Sequence, residues 1–322
     1  MKKPLVSILI PVYNVAEYLH QCLDSVVNQT LDNIEIVIVN DCSPYPEDDK
    51  ICKEYAEKDP RIKYIIHEEN KGVGGARNTA IQNASADYIG WVDSDDWAEL
   101  DMFEKLYNDI ITNNSDISQC FFTDFTENGH NLRKLKGYRR KKDALNSLNV
   151  LLWNKLFKKD LFTKNDISFP NRISIDDIAT MPRLFYFVNS VSRVKEALYH
   201  YRVKREGGVT ANFERIMDEY FEVYSIIQEF LKKNNWWERD QLFFEKRVLR
   251  SLIHDVKRLY NDLDLDIKSK NEIIVSNMSK SLVFLRHPEK IDLSEIGKTK
   301  KTLESYKNRV QLKLTLQKIF NL

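Results

Sequence analysis

The sequence contains no Cys-x-x-Cys pair, and Cys22, Cys42, Cys52 and Cys120 fall at no spacing used by metal ligands. A zinc ribbon and a dithiol redox motif are thereby excluded. No leader-like segment is recognisable, so the four cysteines are expected to be reduced thiols of a cytoplasmic protein. Nor does any uncharged apolar run approach the ~20 residues that span a bilayer, so membrane association is expected to be peripheral at most. Neither sign of charge dominates. Lys and Arg number 49 against 48 Asp and Glu, a formal net charge of +1, which argues against a whole-protein nucleic-acid binder. Internal repeats and low-complexity linkers are missing as well. What is present is a balance of 43% hydrophobic and 30% charged residues over 322 positions. That length suits one large or two ordinary domains with a substantial core.

The most informative stretch is Asp87 to Trp97. Its first half is apolar, aromatic and β-branched, as in a short buried strand. It then empties into Asp93, Asp95 and Asp96. Carboxylates crowded at a strand end repel one another unless a cation lies between them, and hard oxygen ligands suit Mg²⁺ or Mn²⁺. The alternative is a solvated acidic loop before the next helix.

Taken in order, Leu5 to Ile10 reads as a central strand closed by Pro11. Asn14 with Glu17 has the spacing of a capping box, and Leu19, Cys22, Leu23, Val26 and Val27 follow at helical intervals. Strands are expected at 34–39 and 62–66, with a polar helix at 47–58 between them. This β-α-β-α-β order favours a parallel sheet. Lys71-Gly72-Val73-Gly74-Gly75-Ala76-Arg77 opens the next helix, either letting backbone amides approach an anion or forming a tight turn. A helix at 101–112 and a strand at 116–122 come next, then a basic stretch at 133–142. Asp176 and Asp177 open a helix, and Glu196 to Arg202 reads as a strand running into the basic loop Lys204-Arg205-Glu206-Gly207-Gly208. Beyond Phe213 only helical periodicity remains, which places a domain boundary near residue 212. In an open α/β sheet ligands bind beyond the carboxyl ends of the strands. Pro11-Val12-Tyr13-Asn14, Asn40-Asp41, Lys71-Gly72 and Asp93-Ser94-Asp95 all fall at such ends, so a nucleotide site with metal-held phosphates is expected there.

The segments Val-Ser-Ile-Leu-Ile-Pro-Val-Tyr-Asn, Val-Asn-Asp-Cys-Ser, Asn-Lys-Gly-Val-Gly-Gly-Ala-Arg-Asn and Trp-Val-Asp-Ser-Asp-Asp, in this order from Val6 to Trp97, resemble a family 2 glycosyltransferase with the GT-A fold. The resemblance continues through Trp153-Asn154-Lys155-Leu156-Phe157, Asp176-Asp177 and Tyr199-His200-Tyr201-Arg202. It implies a Rossmann-like, mostly parallel α/β sheet flanked by helices over residues 1–212, with an all-helical extension over 213–322. It also implies inverting transfer from a UDP-sugar, with Mn²⁺ or Mg²⁺, to a hydroxyl of a glycan or lipid-linked acceptor in cell-surface polysaccharide synthesis.

Carried over residue by residue, the family places Pro11, Tyr13 and Asp41 at the base, with Asp41 accepting from the uracil imide. Lys71 and Ser94 join the nucleotide site, Arg77 supports the base or phosphate region, and Arg202 and Arg205 close over the diphosphate. Asp93 contacts ribose or metal, and Asp95 ligates the metal. Asp177 matches the catalytic base. Asp176 stands where the family usually has Glu, which leaves open which of the two acids is the base. Cys42 stands where a Gly is usual. His200 is read either as a further metal ligand or as a structural histidine, and Trp91 and Trp153 as sugar-stacking or packing residues. A sugar-phosphate nucleotidyltransferase would want a basic Gly-rich loop after the first strand, where Pro11-Val12-Tyr13-Asn14 stands instead. A non-catalytic nucleotide-sugar scaffold is the remaining alternative. Residues 298–322 combine basic side chains with apolar ones at helical spacing. They fit an anionic membrane surface, a packed helix, or a contact between subunits.

Overall fold

The computed structural model describes residues 3–126, 129–133, 150–203 and 213–262, together with 276, 280 and 284. The chain divides into two compact units, Met1–Asn212 and Phe213–Leu322. In the first, β1 (Val6–Val12), β2 (Ile34–Asn40), β3 (Ile62–Ile66) and β4 (Tyr88–Trp91) form a parallel array in the order β3-β2-β1-β4. The central strands form because their β-branched residues are covered on both faces: β1 is buried throughout, and Ile36, Val37, Ile38 and Val39 of β2 have no exposed surface, whereas β3 at the edge is only partly covered. Helices α1 (Ala16–Val27), α2 (Pro46–Lys58) and α3 (Gly72–Asn83) make the crossovers. The same helices pack against the sheet, Leu19, Cys22, Leu23 and Val26 of α1 joining the core beside Val6, Ile8 and Ile10.

Beyond β4 the sheet changes direction. β8 (Lys155–Lys158) runs antiparallel to β4, β6 (Ile117–Thr126) antiparallel to β8, and β9 (Val191–Arg202) parallel to β6. The two-residue β5 (Trp97–Ala98) pairs with β9, and β7 (Gly129–Arg133) with β6. Helix α4 (Met102–Thr112) buries Met102, Phe103, Leu106 and Ile110, while α5 (Asp160–Thr163) and α6 (Asp176–Phe185) follow β8. The helix-flanked α/β sheet is the one the sequence predicts, with the parallel order confined to β3-β2-β1-β4 and the β6–β9 pair.

Two local expectations are corrected. Pro11 does not end β1, which continues to Val12. Residues 9 and 11 face β4, and that ladder already stops at Leu9↔Trp91, so no partner lacks the missing Pro11 N–H. The Asn14-to-Glu17 capping box does not form either. Asn14 adopts a left-handed φ of 52°, and α1 starts at Ala16 with no side-chain cap of its own. Asp48 from α2 supplies the acceptor instead, taking the Val15 N–H at 3.1 Å.

The second unit is helical where described, with α7 (Phe213–Lys233) and α8 (Trp237–Asp262). Val223, Tyr224, Ile227 and Leu231 form the buried stripe of α7, and Tyr224 meets Phe244 of α8 edge-on at 6.3 Å between centroids. Among the described residues, no helix is long and apolar enough to cross a membrane. The expected helical segments near 271–285 (apart from 276, 280 and 284) and after 299, the basic stretch 134–142, the Lys204–Gly208 loop with Arg205, and the amphipathic stretch 298–322 lie outside the described residues.

Candidate active site

The parallel strands deliver their polar ends to one rim. Asp41 follows β2 and is tied to the end of β1 by its N–H to the Val12 carbonyl, 2.9 Å. Its carboxylate is almost wholly buried, and Oδ1 accepts from His67 Nδ1 at 2.6 Å and from the Lys71 backbone N–H at 2.9 Å. Asn70 Nδ2 donates to the Asp41 carbonyl at 3.2 Å. Pro11 lies buried in β1 beside this corner, and Tyr13 stands at the rim, 45% exposed. Cys42 has a φ of 58°, the left-handed conformation that glycine adopts without strain. The backbone thus keeps the turn that the usual glycine would make.

The second corner lies after β4. The Asp93 N–H donates to the Tyr199 hydroxyl at 3.1 Å, and that hydroxyl donates to Asp96 Oδ2 at 2.8 Å. Asp96 Oδ1 accepts the Arg202 N–H at 2.8 Å. Burial, then the charges of Asp95 and Asp93, push the Asp96 carboxyl well above the usual carboxylate range. Asp96 therefore belongs to the frame that shapes the turn, with Ser94 also buried within it. Asp93 and Asp95 remain half-buried at the rim.

Helix α3 links these corners to the acid pair. Gly74 packs so closely on the 169–172 segment that a Cβ there would lie 2.0 Å from the Pro170 carbonyl oxygen. The glycines at the start of α3 are therefore required by packing. Asn78 clasps the backbone of Phe169 at 2.8 Å in both directions, and the Arg172 N–H reaches the Lys71 carbonyl at 3.0 Å. That segment leads directly into Asp176 and Asp177 at the first turn of α6.

Arg77, one residue before Asn78, has its guanidinium between the corner after β4 and the acid pair. Nη2 pairs with Asp93 Oδ1 at 3.0 Å and Nη1 with Asp176 Oδ1 at 2.5 Å. Burial disfavours the charge, but Asp176, Asp93 and Asp177 outweigh it and raise the Arg77 pKa. Asp176 is 1% exposed, and among the described residues its Oδ2 has no hydrogen-bond partner. Asp177 keeps part of its surface open, and its Oδ1 accepts the Ile178 N–H at 2.7 Å. Desolvation, and after it the charge of Asp176, lifts the Asp177 carboxyl to about 7, with Arg77 opposing.

Lys155, from the Trp153-Asn154-Lys155 motif, is fully buried, with Nζ donating to the Leu151 carbonyl and to Asn154 Oδ1 at 2.8 Å. Burial lowers its pKa to about 7, with the Asp177 charge among the opposing influences. The sequence motif contains Lys155 but gives it no role. His67 has no sequence signal except its place just after a strand end.

His200 lies on β9 opposite Trp97 of β5. Its ring nitrogens are taken by Thr123 Oγ1 and Glu99 Oε1, each at 2.7 Å, and the ring stacks on Trp97 at 4.8 Å. These are the contacts of the structural reading of His200. Arg202 sits in β9, with Nε on the Asp95 carbonyl at 3.0 Å and Nη2 on Gln21 at 2.7 Å. Its guanidinium lies over Tyr18 at 4.6 Å, and over Trp97 and Phe125 at 5.3 Å each. It is thus anchored to the acidic turn and does not ride on the following loop. Trp91 and Trp153 are packing residues, Trp91 among Phe157, Phe162 and Phe169, and Trp153 stacked on Tyr199 at 4.4 Å.

Among the described residues, no three His, Cys, Asp or Glu side chains gather into a protein-only metal cage. Mg²⁺ seldom requires one, since one or two carboxylates plus substrate phosphates commonly complete its shell. The oxygen donors of Asp93 and Asp95 fit that pattern.

Comparison with known proteins bears on the same segments. The family described as Glycosyl transferase family 2 matches residues 7–174. The putative glycosyltransferase EpsH of Bacillus subtilis is 34% identical over 248 residues, which cover 73% of this chain and 71% of EpsH. The minor teichoic acid biosynthesis protein GgaB of the same organism is 29% identical over 253 residues, 76% of this chain but only 26% of GgaB. Among solved structures, Staphylococcus aureus TarS 1-349 in complex with UDP-GlcNAc superposes with a TM-score of 0.56 at 19% identity, covering 98% of this chain and 81% of that one. That likeness establishes the fold, the GT-A architecture expected from the sequence.

Proposed function

The chain belongs to glycosyl transferase family 2 and is a glycosyltransferase, and from that premise we propose that it transfers a sugar from a UDP-sugar, with inversion, to a hydroxyl of a glycan or lipid-linked acceptor. Polysaccharide-related relatives such as GgaB support a product at the cell surface. Residues 1–212 carry donor binding and catalysis in this reading, and residues 213–322 the contacts with acceptor, a second subunit or an anionic membrane surface.

The observation that carries the proposal is the Arg77 bridge. It pairs with Asp93 on the donor side and with Asp176 in the acid pair. It thereby commits Asp176 to an ion pair and leaves Asp177 as the acid that retains open surface and has a pKa near neutrality. A general base works best with a pKa close to the operating pH. Asp177 would take the proton from the acceptor hydroxyl as its oxygen attacks the anomeric carbon. The bond from that carbon to the diphosphate oxygen breaks on the opposite side, and UDP leaves. Asp41, with Pro11 and Tyr13 beside it, would hold the uracil, and Lys71 and Ser94 line the same rim. Asp95 with Asp93 would hold a divalent cation, which as a Lewis acid supplies charge stabilisation for the leaving diphosphate. Arg202 would keep Asp95 in place through its backbone carbonyl. Arg205 would close over the diphosphate.

The test is a panel of UDP-, GDP-, CDP- and dTDP-sugars incubated with the enzyme and Mn²⁺, followed by measurement of nucleotide release. Release of UDP from a UDP-sugar, abolished by chelator and by Asp177→Asn, is the expected result. Release confined to GDP- or CDP-sugars would overturn the donor assignment.

A further inference from the structure

We propose that His67 is a positioning residue for nucleobase selection, the middle of a Thr79–His67–Asp41 relay that aims the Asp41 carboxylate. The proposal rests on the reading of Asp41 as the residue that meets the base.

His67 directly follows β3, and its N–H donates to the Asn40 carbonyl at 2.9 Å, which sets it beside the end of β2. The side chain is 4% exposed and both ring nitrogens are occupied. Nδ1 lies 2.6 Å from Asp41 Oδ1, and Nε2 lies 2.9 Å from the hydroxyl of Thr79 on α3. An ionised carboxylate only accepts, so Nδ1 carries a proton. In the neutral ring Nε2 then accepts from Thr79. Asp41 Oδ1 also receives the Lys71 N–H. With two donors on Oδ1 the carboxylate cannot turn about its side-chain bonds without breaking one of them.

Its other oxygen, Oδ2, accepts no hydrogen bond from the described residues, and the side chain is 3% exposed. An acceptor that is rigid, unoccupied by the described residues and unable to donate favours a ligand edge that presents an N–H. The uracil imide offers one, whereas cytosine has an acceptor at the same ring position. The relay thus converts a carboxylate at a strand end into a fixed reader. This is the logic by which an outer hydrogen bond orients a ligating group in metal sites. Thr79 brings α3, the helix that carries Arg77, into the same network.

The experiment is calorimetric titration of UDP and CDP, each with Mn²⁺, into the full chain and four variants. His67→Leu removes both hydrogen bonds and should weaken UDP at least tenfold while leaving CDP unchanged, so the UDP/CDP ratio collapses. His67→Asn retains an N–H near the Nδ1 position and should restore most of that ratio. Thr79→Val cuts only the outer link and should weaken UDP about threefold; it carries the test if His67→Leu does not fold. Asp41→Asn should abolish the preference outright. An unchanged ratio in a folded His67→Leu protein, or in Thr79→Val where the leucine variant does not fold, overturns the relay provided that Asp41→Asn still loses the preference. If Asp41→Asn keeps the preference, the base-reading role of Asp41 itself fails, and the relay with it.

Discussion

Replacing Asp177 by Asn should stabilise the protein while disabling it, and the pH dependence of the gain isolates the buried charge. The Asp177 carboxyl moves from 3.8 to about 7 on folding, chiefly through desolvation and then through repulsion from Asp176. Between these limits the native state holds a proton that the unfolded chain has released. Stability contributed by this group is therefore highest below pH ~4 and is lost as pH rises toward the folded pKa. Three pKa units correspond to about 4 kcal/mol, an upper bound. Asp177 also helps keep the Lys155 ammonium charged, and that attraction disappears with the carboxylate. A net gain of about 2 kcal/mol for Asp177→Asn at pH 8 is therefore expected, in the range known for relieved buried charges. Urea unfolding of both proteins, followed by tryptophan fluorescence from pH 4.5 to 8.5, measures it. The stability difference should widen with pH up to ~7 and then level off. A difference that is flat, or that narrows as pH rises, would refute the electrostatic account of the acid pair.

The same substitution should lower turnover by roughly the 10²–10⁴ that a positioned base contributes. Asp176→Asn should retain more activity than Asp177→Asn, because Asp176 is committed to Arg77; steady-state rates with a common donor decide the order. The pH profile of kcat/KM should rise about tenfold per unit on the acid side and flatten above about 7, since Asp177 accepts a proton only when ionised. Arg77→Met strands two carboxylates against a buried apolar side chain and should cost about 3–5 kcal/mol in chemical denaturation.

The parallel half of the fold is legible in the sequence because each of β1, β2 and β4 is a short apolar run closed by polar residues. The other half is harder to read. β8 is only Lys155–Lys158, and its first residue is a lysine that happens to be buried. β9 begins at Val191, five residues before the expected start, because Ser192, Arg193 and Lys195 conceal the strand in a one-chain reading. Arg193 in fact lies over the Phe121 ring at 5.9 Å and is half-buried there. In the site, Asp41, Asp93, Asp95 and Asp177 are recognisable because ordered motifs mark them. His67 is not, because a single histidine after a strand has no period, and Lys155 lies in a motif that gives it no role. Only folding brings them to Asp41 and toward Asp177. The Arg77 bridge is invisible for the same reason, spanning 99 residues to Asp176.

The central claim is that the rim beyond the strand ends binds a uridine diphosphate through Asp41 and a cation held by Asp95. Calorimetry of UDP with and without Mn²⁺, on the native protein and on Asp95→Ala, tests it most directly. Binding that strengthens with Mn²⁺ in the native protein, and loses that dependence in a fully folded Asp95→Ala, is the predicted result. The same Mn²⁺-dependent affinity in both proteins would contradict it.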